Sequence, residues 1–165
     1  MQSITISEAQ RLTSPNPFAI VSSMDRDGQC DLMAISWWTY MTNNPPMLGI
    51  CTSKKGYTGE LLKNSGEMGL SVVGEELRQN GIMCGACSGR DTDKAKKFGI
   101  ALTDADVIRP KLVANSRVAF ECRLENTVDV GDHTLYICSI VAIHGDPSVK
   151  ALYAMDGYRR LDTLE

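Results

Sequence analysis

Residues 50–59 read ICTSKKGYTG. An apolar run stops at Thr52 and gives way to hydroxyls, two adjacent lysines, a glycine, a tyrosine and a further threonine. Hydroxyl, ammonium and backbone N–H donors at a strand end, leading into a helix start, are the donor set that suits a phosphate. The same composition makes a solvated turn with two surface lysines, and on this stretch alone that reading comes first. Cys84 and Cys87 form the C-x-x-C of the chain. A structural zinc centre needs two more thiolates or imidazoles at similar short spacing, and His133 and His144 read as isolated. No metal site is expected. A thioredoxin-like dithiol is not expected either, because the pair lacks that fold's preceding strand and long following helix. Two small residues in a tight glycine-rich loop is the remaining reading. Gly131-Asp132-His133 suits a hairpin, where the histidine can be incidental. Trp37 and Trp38 are adjacent, so in a strand they point to opposite faces. One can be core while the other borders a ligand.

The elements that must position these groups belong to a chain of 165 residues, expected to form one domain over 1–165. Hydrophobic residues make up 43%, enough for a core without staples, and the net charge of −3 argues against nucleic acid or an anionic membrane as partner. No apolar run approaches the length of a membrane span. The N-terminal MQSITISEAQ has neither the basic patch nor the apolar core of a secretory signal. The six cysteines sit mostly inside apolar runs such as LGICT, AFECRL and LYICSI. Reduced, buried thiols in a cytoplasmic protein are the expectation.

PFAIVSS reads as a strand, Asp27-Gly28 as a tight turn, and CDLMAISWWTYM as the strand that resumes after it. NNPP breaks the chain, and MLGICT has the pattern of a short buried strand. Tyr57 to Asn64 is expected to be a short helix with Thr58 near its N-cap, stopped at Asn64-Ser65-Gly66. MGLSVV is another buried strand, Glu75 to Met83 is read as helical, and Asp93 to Phe98 as one or two further helical turns. In RVAFECRLE, Val118, Phe120, Cys122 and Leu124 alternate with Arg117, Glu121 and Arg123, the period of a half-buried strand. VGDHTL then reverses the chain. LYICSIVAI is apolar on both parities, so its second face must meet a helix or another subunit. Strands dominate, which points to a mainly β chain, a β-barrel with a few short helices.

The order PFAIVSSMDRDGQCDLMAISWW, NNPPMLGICTSKKGYTGELLKN, SGRDTDK, VAFEC, VGDHTLYI resembles that of the flavin reductase-like, FMN-binding split-barrel family, in particular its flavoredoxin-type members. The likeness runs from about Pro17 to His144. It rests on the strand ending in Ser-aromatic, the Pro-Pro turn, the Ser/Lys/Thr loop, Ser88-Gly89 with Asp93-Lys94, and Gly131-Asp132-His133. Each element is weak alone; their joint order and spacing are specific.

The resemblance implies a Greek-key split β-barrel that forms a homodimer, with FMN in a groove at the subunit interface. By the same resemblance Ile35, Ser36, Trp37 and Trp38 flank the isoalloxazine and ribityl chain. Cys51, Thr52, Ser53, Lys54, Lys55 and Thr58 bind the phosphate, and Ser88 and Gly89 cover the cofactor. His133 lies near the flavin or the nicotinamide of a reductant. Many family members carry Asn before the motif serine; here Ile35 stands there, without a side-chain amide. The implied activity is that of an FMN-dependent oxidoreductase, either an NAD(P)H:flavin reductase, with NADH or NADPH as donor, or a flavoredoxin-like electron carrier serving a redox-protein partner. Arg90, Lys94, Lys96 and Lys97 are the candidates for an NADPH 2′-phosphate. The alternatives are a non-enzymatic FMN-binding or storage module and a ligand-free dimeric barrel with a structural role.

Overall fold

A computed structural model describes residues 1–164. In chain order the elements are α1 (Ile6–Leu12), β1 (Asn16–Pro17), β2 (Ala19–Met24), β3 (Cys30–Ile35), β4 (Trp38–Asn43), β5 (Pro46–Ser53), α2 (Tyr57–Ser65) and β6 (Glu67–Val72). Two 3-10 turns follow, Glu75–Leu77 and Gly81–Gly85, then α3 (Lys94–Phe98), β7 (Leu102–Thr103) and β8 (Leu112–Val113). The chain closes with β9 (Val118–Val130), β10 (His133–Gly145), β11 (Leu152–Met155) and β12 (Arg160–Thr163).

The long antiparallel pair read from the alternating sequence is β9 and β10, joined at Gly131 with φ +57°. This pair is the spine of a seven-stranded sheet in the order β3-β2-β6-β9-β10-β5-β4. Its two outermost strands, β3 and β4, are consecutive in the chain and separated only by Ser36 and Trp37. The sequence reads this stretch as one strand. The sheet instead curls until its ends meet, and the chain crosses from one edge to the other at Ser36–Trp37. A continuous strand cannot belong to both edges, so the closure itself forces the break. The result is the split barrel, with its seam at these two residues.

β2 is buried on both faces. Ala19 and Val21 pack inside the barrel with Leu48, Ile50, Met68, Leu70, Phe120 and Tyr136. Phe18 and Ile20 pack outside it, against a second core of Leu77, Cys84, Ile100, Leu152 and Leu161. The second core lies beneath the 3-10 turns, α3 and the β11–β12 hairpin, which pairs with β1 in a small separate sheet.

α2 closes one end of the barrel, placing Leu62 in the inner core. Gly59 lets the helix approach Tyr136, whose hydroxyl a Cβ there would overlap. The helix stops at Gly66, which takes the left-handed conformation with φ +71°. The segment read as a helix over Glu75 to Met83 is instead two 3-10 turns, anchored by buried Leu77 and Cys84. Gly81 inside this span makes a continuous α-helix there less favourable, and short turns that bury single anchors replace it. α1, an element beyond those expected from the sequence, is held by a capping box between Thr5 and Glu8 and buries no residue.

Candidate functional site

Several of the side chains that could do chemistry gather along the seam. Met33 on β3 faces Thr52 on β5, whose hydroxyl lies 3.5 Å from the Met33 sulfur. One residue away, the Cys51 N–H donates to the Trp37 carbonyl at 2.9 Å. Along this line runs a cavity of about 360 Å³, lined on the sheet side by Met33 to Trp37, Cys51 to Ser53 and His133. Its other wall is Gln10, Thr13, Ser14 and Asn16 with Gly157 and Tyr158. Gly157 donates its N–H to Ser14 at 2.8 Å, and Arg11 pairs with Asp156 at 3.0 Å, so the chain's two ends meet there. Trp37 is half exposed and lies against the His133 ring, with centroids 5.1 Å apart. Asp132 bonds His133 Nδ1 at 2.7 Å, and this contact holds the Asp132 carboxyl below its usual range. The buried Ser36 hydroxyl has no hydrogen-bond partner. A buried hydroxyl normally finds one, and Ser36 is the unpartnered hydroxyl on the sheet side of this cavity.

Met33 also borders a second concavity of about 390 Å³, lined by Lys55 to Thr58 on one side and Cys84 to Gly89 on the other. Here α2 begins with Gly56 as its N-cap and no side-chain cap. Its first N–H groups have no intrahelical acceptor, and the helix dipole adds partial positive charge. The Ser53 hydroxyl accepts from the Lys55 N–H at 3.3 Å, which folds the loop back on itself.

The residues singled out in the sequence thus fall into two adjoining hollows. Ile35, Ser36, Trp37, Cys51, Thr52, Ser53 and His133 share the first. Lys55, Thr58, Ser88 and Gly89 share the second. Two residues lie in neither. Trp38 turns into the barrel against Phe120 and Tyr40, which makes it the core member of the tryptophan pair. Lys54 pairs with Asp129 at 3.3 Å, and this bond holds Asp129 below its usual range. Thr58 lies near the N-cap as expected, two positions after Gly56, but its hydroxyl does not cap the helix: it donates to Asp31 at 3.2 Å. The basic residues considered for a 2′-phosphate are also accounted for in part. Arg90 bonds Glu60 at 2.6 Å and lies over the Tyr57 ring, and Lys94 is buried against Asp31.

Sequence reasoning missed Asp31, Met33 and the wall made by α1 and Tyr158. Asp31 had a signal: it is the acidic residue in an otherwise apolar strand, CDLMAI, and such a group needs a buried partner. The α1 wall had one too: Thr5-Ile6-Ser7-Glu8 has the capping-box spacing of a helix start.

The flavin reductase-like domain model matches residues 11–162. The chain belongs to the flavin reductase-like family. A relative from Archaeoglobus fulgidus with no assigned function is 26% identical over 147 residues, covering 88% of this chain and 81% of that protein. The NADH-dependent flavin reductase StyB of Pseudomonas fluorescens is 29% identical over 133 residues, covering 81% of this chain and 73% of that one. Among solved structures, the flavoredoxin of Desulfovibrio vulgaris aligns over 100% of this chain and 94% of its own, with a TM-score of 0.87 and 21% identity. A split-barrel domain protein from Shewanella frigidimarina aligns over 96% and 87%, also at 0.87, with 16% identity. These two structures establish the fold.

The other clusters in this flavin reductase-like chain have structural explanations. Burial pushes the Cys84 thiol up to about 12, outside the range of a reactive thiolate. His144 is not isolated: it bonds Glu121 at 2.7 Å and approaches Asp106 at 4.0 Å. The alternation in RVAFECRLE puts Glu121 on the face opposite Phe120 and Cys122, and it does point outward from the barrel. It is nonetheless 0% exposed, because the loop at residues 106–108 folds over it. Its carboxylate accepts from the N–H groups of Asp106, Val107 and Ile108 as well as from His144. Burial pushes its acidity one way and these donors pull it further the other, so the carboxyl titrates below its usual range. Both oxygens are fully used in clamping the loop.

Among the described residues, no helix is long and apolar enough to cross a membrane.

Proposed function

We propose that the chain is an FMN-dependent oxidoreductase, of the NAD(P)H:flavin reductase or flavoredoxin type, that holds FMN along the barrel seam. The observation that carries this reading is the pair of adjoining hollows. One is a ring-sized groove with an orphaned hydroxyl and an exposed aromatic wall; the next contains an uncapped helix N-terminus. That pairing matches a planar ring joined by a short polar chain to a phosphate. Bound flavin supplies two-electron acceptance from a nicotinamide and onward delivery of electrons singly or in pairs.

The chain's own groups orient and enclose it. Ser36 offers its unpaired hydroxyl to a polar edge of the ring system. Trp37 and His133 make the outer wall, and Asp132 holds the imidazole in one orientation through Nδ1. Ser53, Lys55 and the first N–H groups of α2 receive the phosphate, and the loop at Ser88–Gly89 covers it.

A second copy of the chain completes the groove. On β10, Leu135 and Ile137 are half-buried and register with Cys51 and Gly49 of β5. Met41 covers Gly49 and is itself 44% exposed. This apolar strip runs directly into the groove at Cys51 and Trp37, so a partner lying on it also borders the cofactor. An interface of this kind is large and apolar.

Anaerobic titration tests the reading. Protein purified with FMN should be yellow and bleach on addition of NADH or NADPH. Failure to bind FMN overturns the proposal. Binding without bleaching by either nucleotide removes the reductase activity and leaves a carrier, which bleaches only with a protein donor, or a storage module, which bleaches with neither.

A further inference from the structure

The floor beneath the Ser88–Gly89 loop holds two opposite charges that the proposed function leaves unused. Asp31 and Lys94 are 5% and 4% exposed, and the Lys94 ammonium lies 3.1 Å from Asp31 Oδ1. Lys94 also donates to the Leu32 carbonyl at 2.6 Å. The other carboxylate oxygen, Oδ2, accepts the Thr58 hydroxyl at 3.2 Å. Gly89 lies so close that a Cβ there would overlap Oδ1. From one position on β3, Asp31 thus sets the start of α2, the glycine-rich loop and the first residue of α3. All of these line the same concavity.

A buried ion pair is no more stabilising than well-packed apolar side chains of the same volume, and is often less so. Stability alone therefore does not call for this one. A carboxylate under a phosphate site presents a further problem, because in a poorly solvated hollow its field opposes an incoming dianion. Cys84, a titratable group packed beside the pair, stays neutral because burial pushes its thiol up to about 12. Lys94 is the cation that offsets the carboxylate from within.

We propose that Asp31 and Lys94 are positioning residues for the cofactor phosphate. Asp31 fixes Thr58 and the Gly89 loop in place, and Lys94 supplies the counter-charge that makes a carboxylate tolerable there. This rests on the FMN reading above. It gives the Asp93-Lys94 element a role at the flavin phosphate and removes Lys94 from any contact with a nucleotide 2′-phosphate.

The test compares FMN with riboflavin, which has the same ring and no phosphate. Dissociation constants for both are measured by flavin fluorescence in wild type, Lys94→Met, Asp31→Asn and the double variant, and thermal unfolding is followed in parallel. The preference for FMN over riboflavin should fall about tenfold in Lys94→Met, where the carboxylate is left uncompensated. It should rise several-fold in Asp31→Asn and return near the wild-type value in the double variant. Should Lys94→Met fail to fold, Asp31→Asn and the neutral, volume-matched double variant carry the comparison. A preference that stays constant across the folded variants, whatever their stabilities, makes the pair purely structural and overturns the proposal. A wild type that shows no preference for FMN refutes the phosphate site itself and this inference with it.

Discussion

The two sides of the barrel are built to different rules. On one side, β2, β3, β6 and the first half of β9 are covered twice, inside by the barrel core and outside by the 3-10 turns, α3, the loop at residues 104–113 and the β11–β12 hairpin. Even a charged residue there, Glu121, is sealed from water. On the other side, β4, β5 and β10 have the same inner core but no second layer. Met41 is 44% exposed, and Leu135 and Ile137 are half-buried on a surface with no covering element among the described residues. The first side finishes its own folding. The second leaves apolar area uncovered, where the proposed partner would lie. The seam at Ser36–Trp37 is where the two kinds of surface meet; the first hollow opens along it, and the second adjoins the first at Met33.

The contrast predicts unequal responses to substitution. The largest belongs to the doubly covered side. Phe18→Ala should lower the unfolding free energy by about 3–5 kcal/mol through a cavity that the layers on either side cannot close. Chemical denaturation should show the loss at every protein concentration. A comparable loss that disappears as concentration rises would mean that this side also depends on a partner.

Glu121→Gln should come next. It removes a charge that collects four donors, each such bond contributing roughly 1.5–3 kcal/mol when the acceptor is ionised; retaining the amide keeps part of that. The pH dependence follows from the depressed carboxyl. Its contribution is fully present above the unfolded value of about 4.5 and is lost as pH falls through the lower folded value. Wild type and variant should therefore differ at pH 7 and converge on acidification. A gap that is constant from pH 7 to pH 3 would break the clamp account.

On the bare side, Ile137→Lys should leave the folded monomer nearly as stable and act on assembly. Sedimentation at micromolar concentration should shift from dimer to monomer, with FMN weakened in parallel because the partner no longer borders the groove. A wild-type chain that sediments only as monomer would remove the partner from the comparison altogether.

The smallest effect separates the two lysines at the seam. Lys55→Ala should weaken FMN about tenfold and leave riboflavin unchanged, at about 1.4 kcal/mol per decade. Lys54→Ala should change FMN less, since its ammonium already pairs with Asp129. Equal losses from both, or from both ligands, would return the loop to a solvated turn.

What the sequence determined by itself was whatever repeats at short range. The β9–β10 pair shows in an alternation of Val118, Phe120, Cys122 and Leu124, because each strand residue faces one side and its neighbour the other. The end of α2 shows in Gly66, because a left-handed residue suits glycine. The double apolarity of Leu135 to Ile143 announced a second covered face without saying what covers it. The order of weak motifs was enough for the family. Tertiary structure alone decided the rest, because it depends on pairings with no local trace. Nothing in CDLMAISWWTYM marks Ser36–Trp37 as the crossing between two sheet edges; only closure of the barrel requires a break there. Nothing near Thr58 shows that its hydroxyl turns to Asp31, or that Lys94 reaches the same carboxylate across more than sixty residues of chain. Such pairings are set by which strands the barrel brings side by side, and that is a property of the whole sheet.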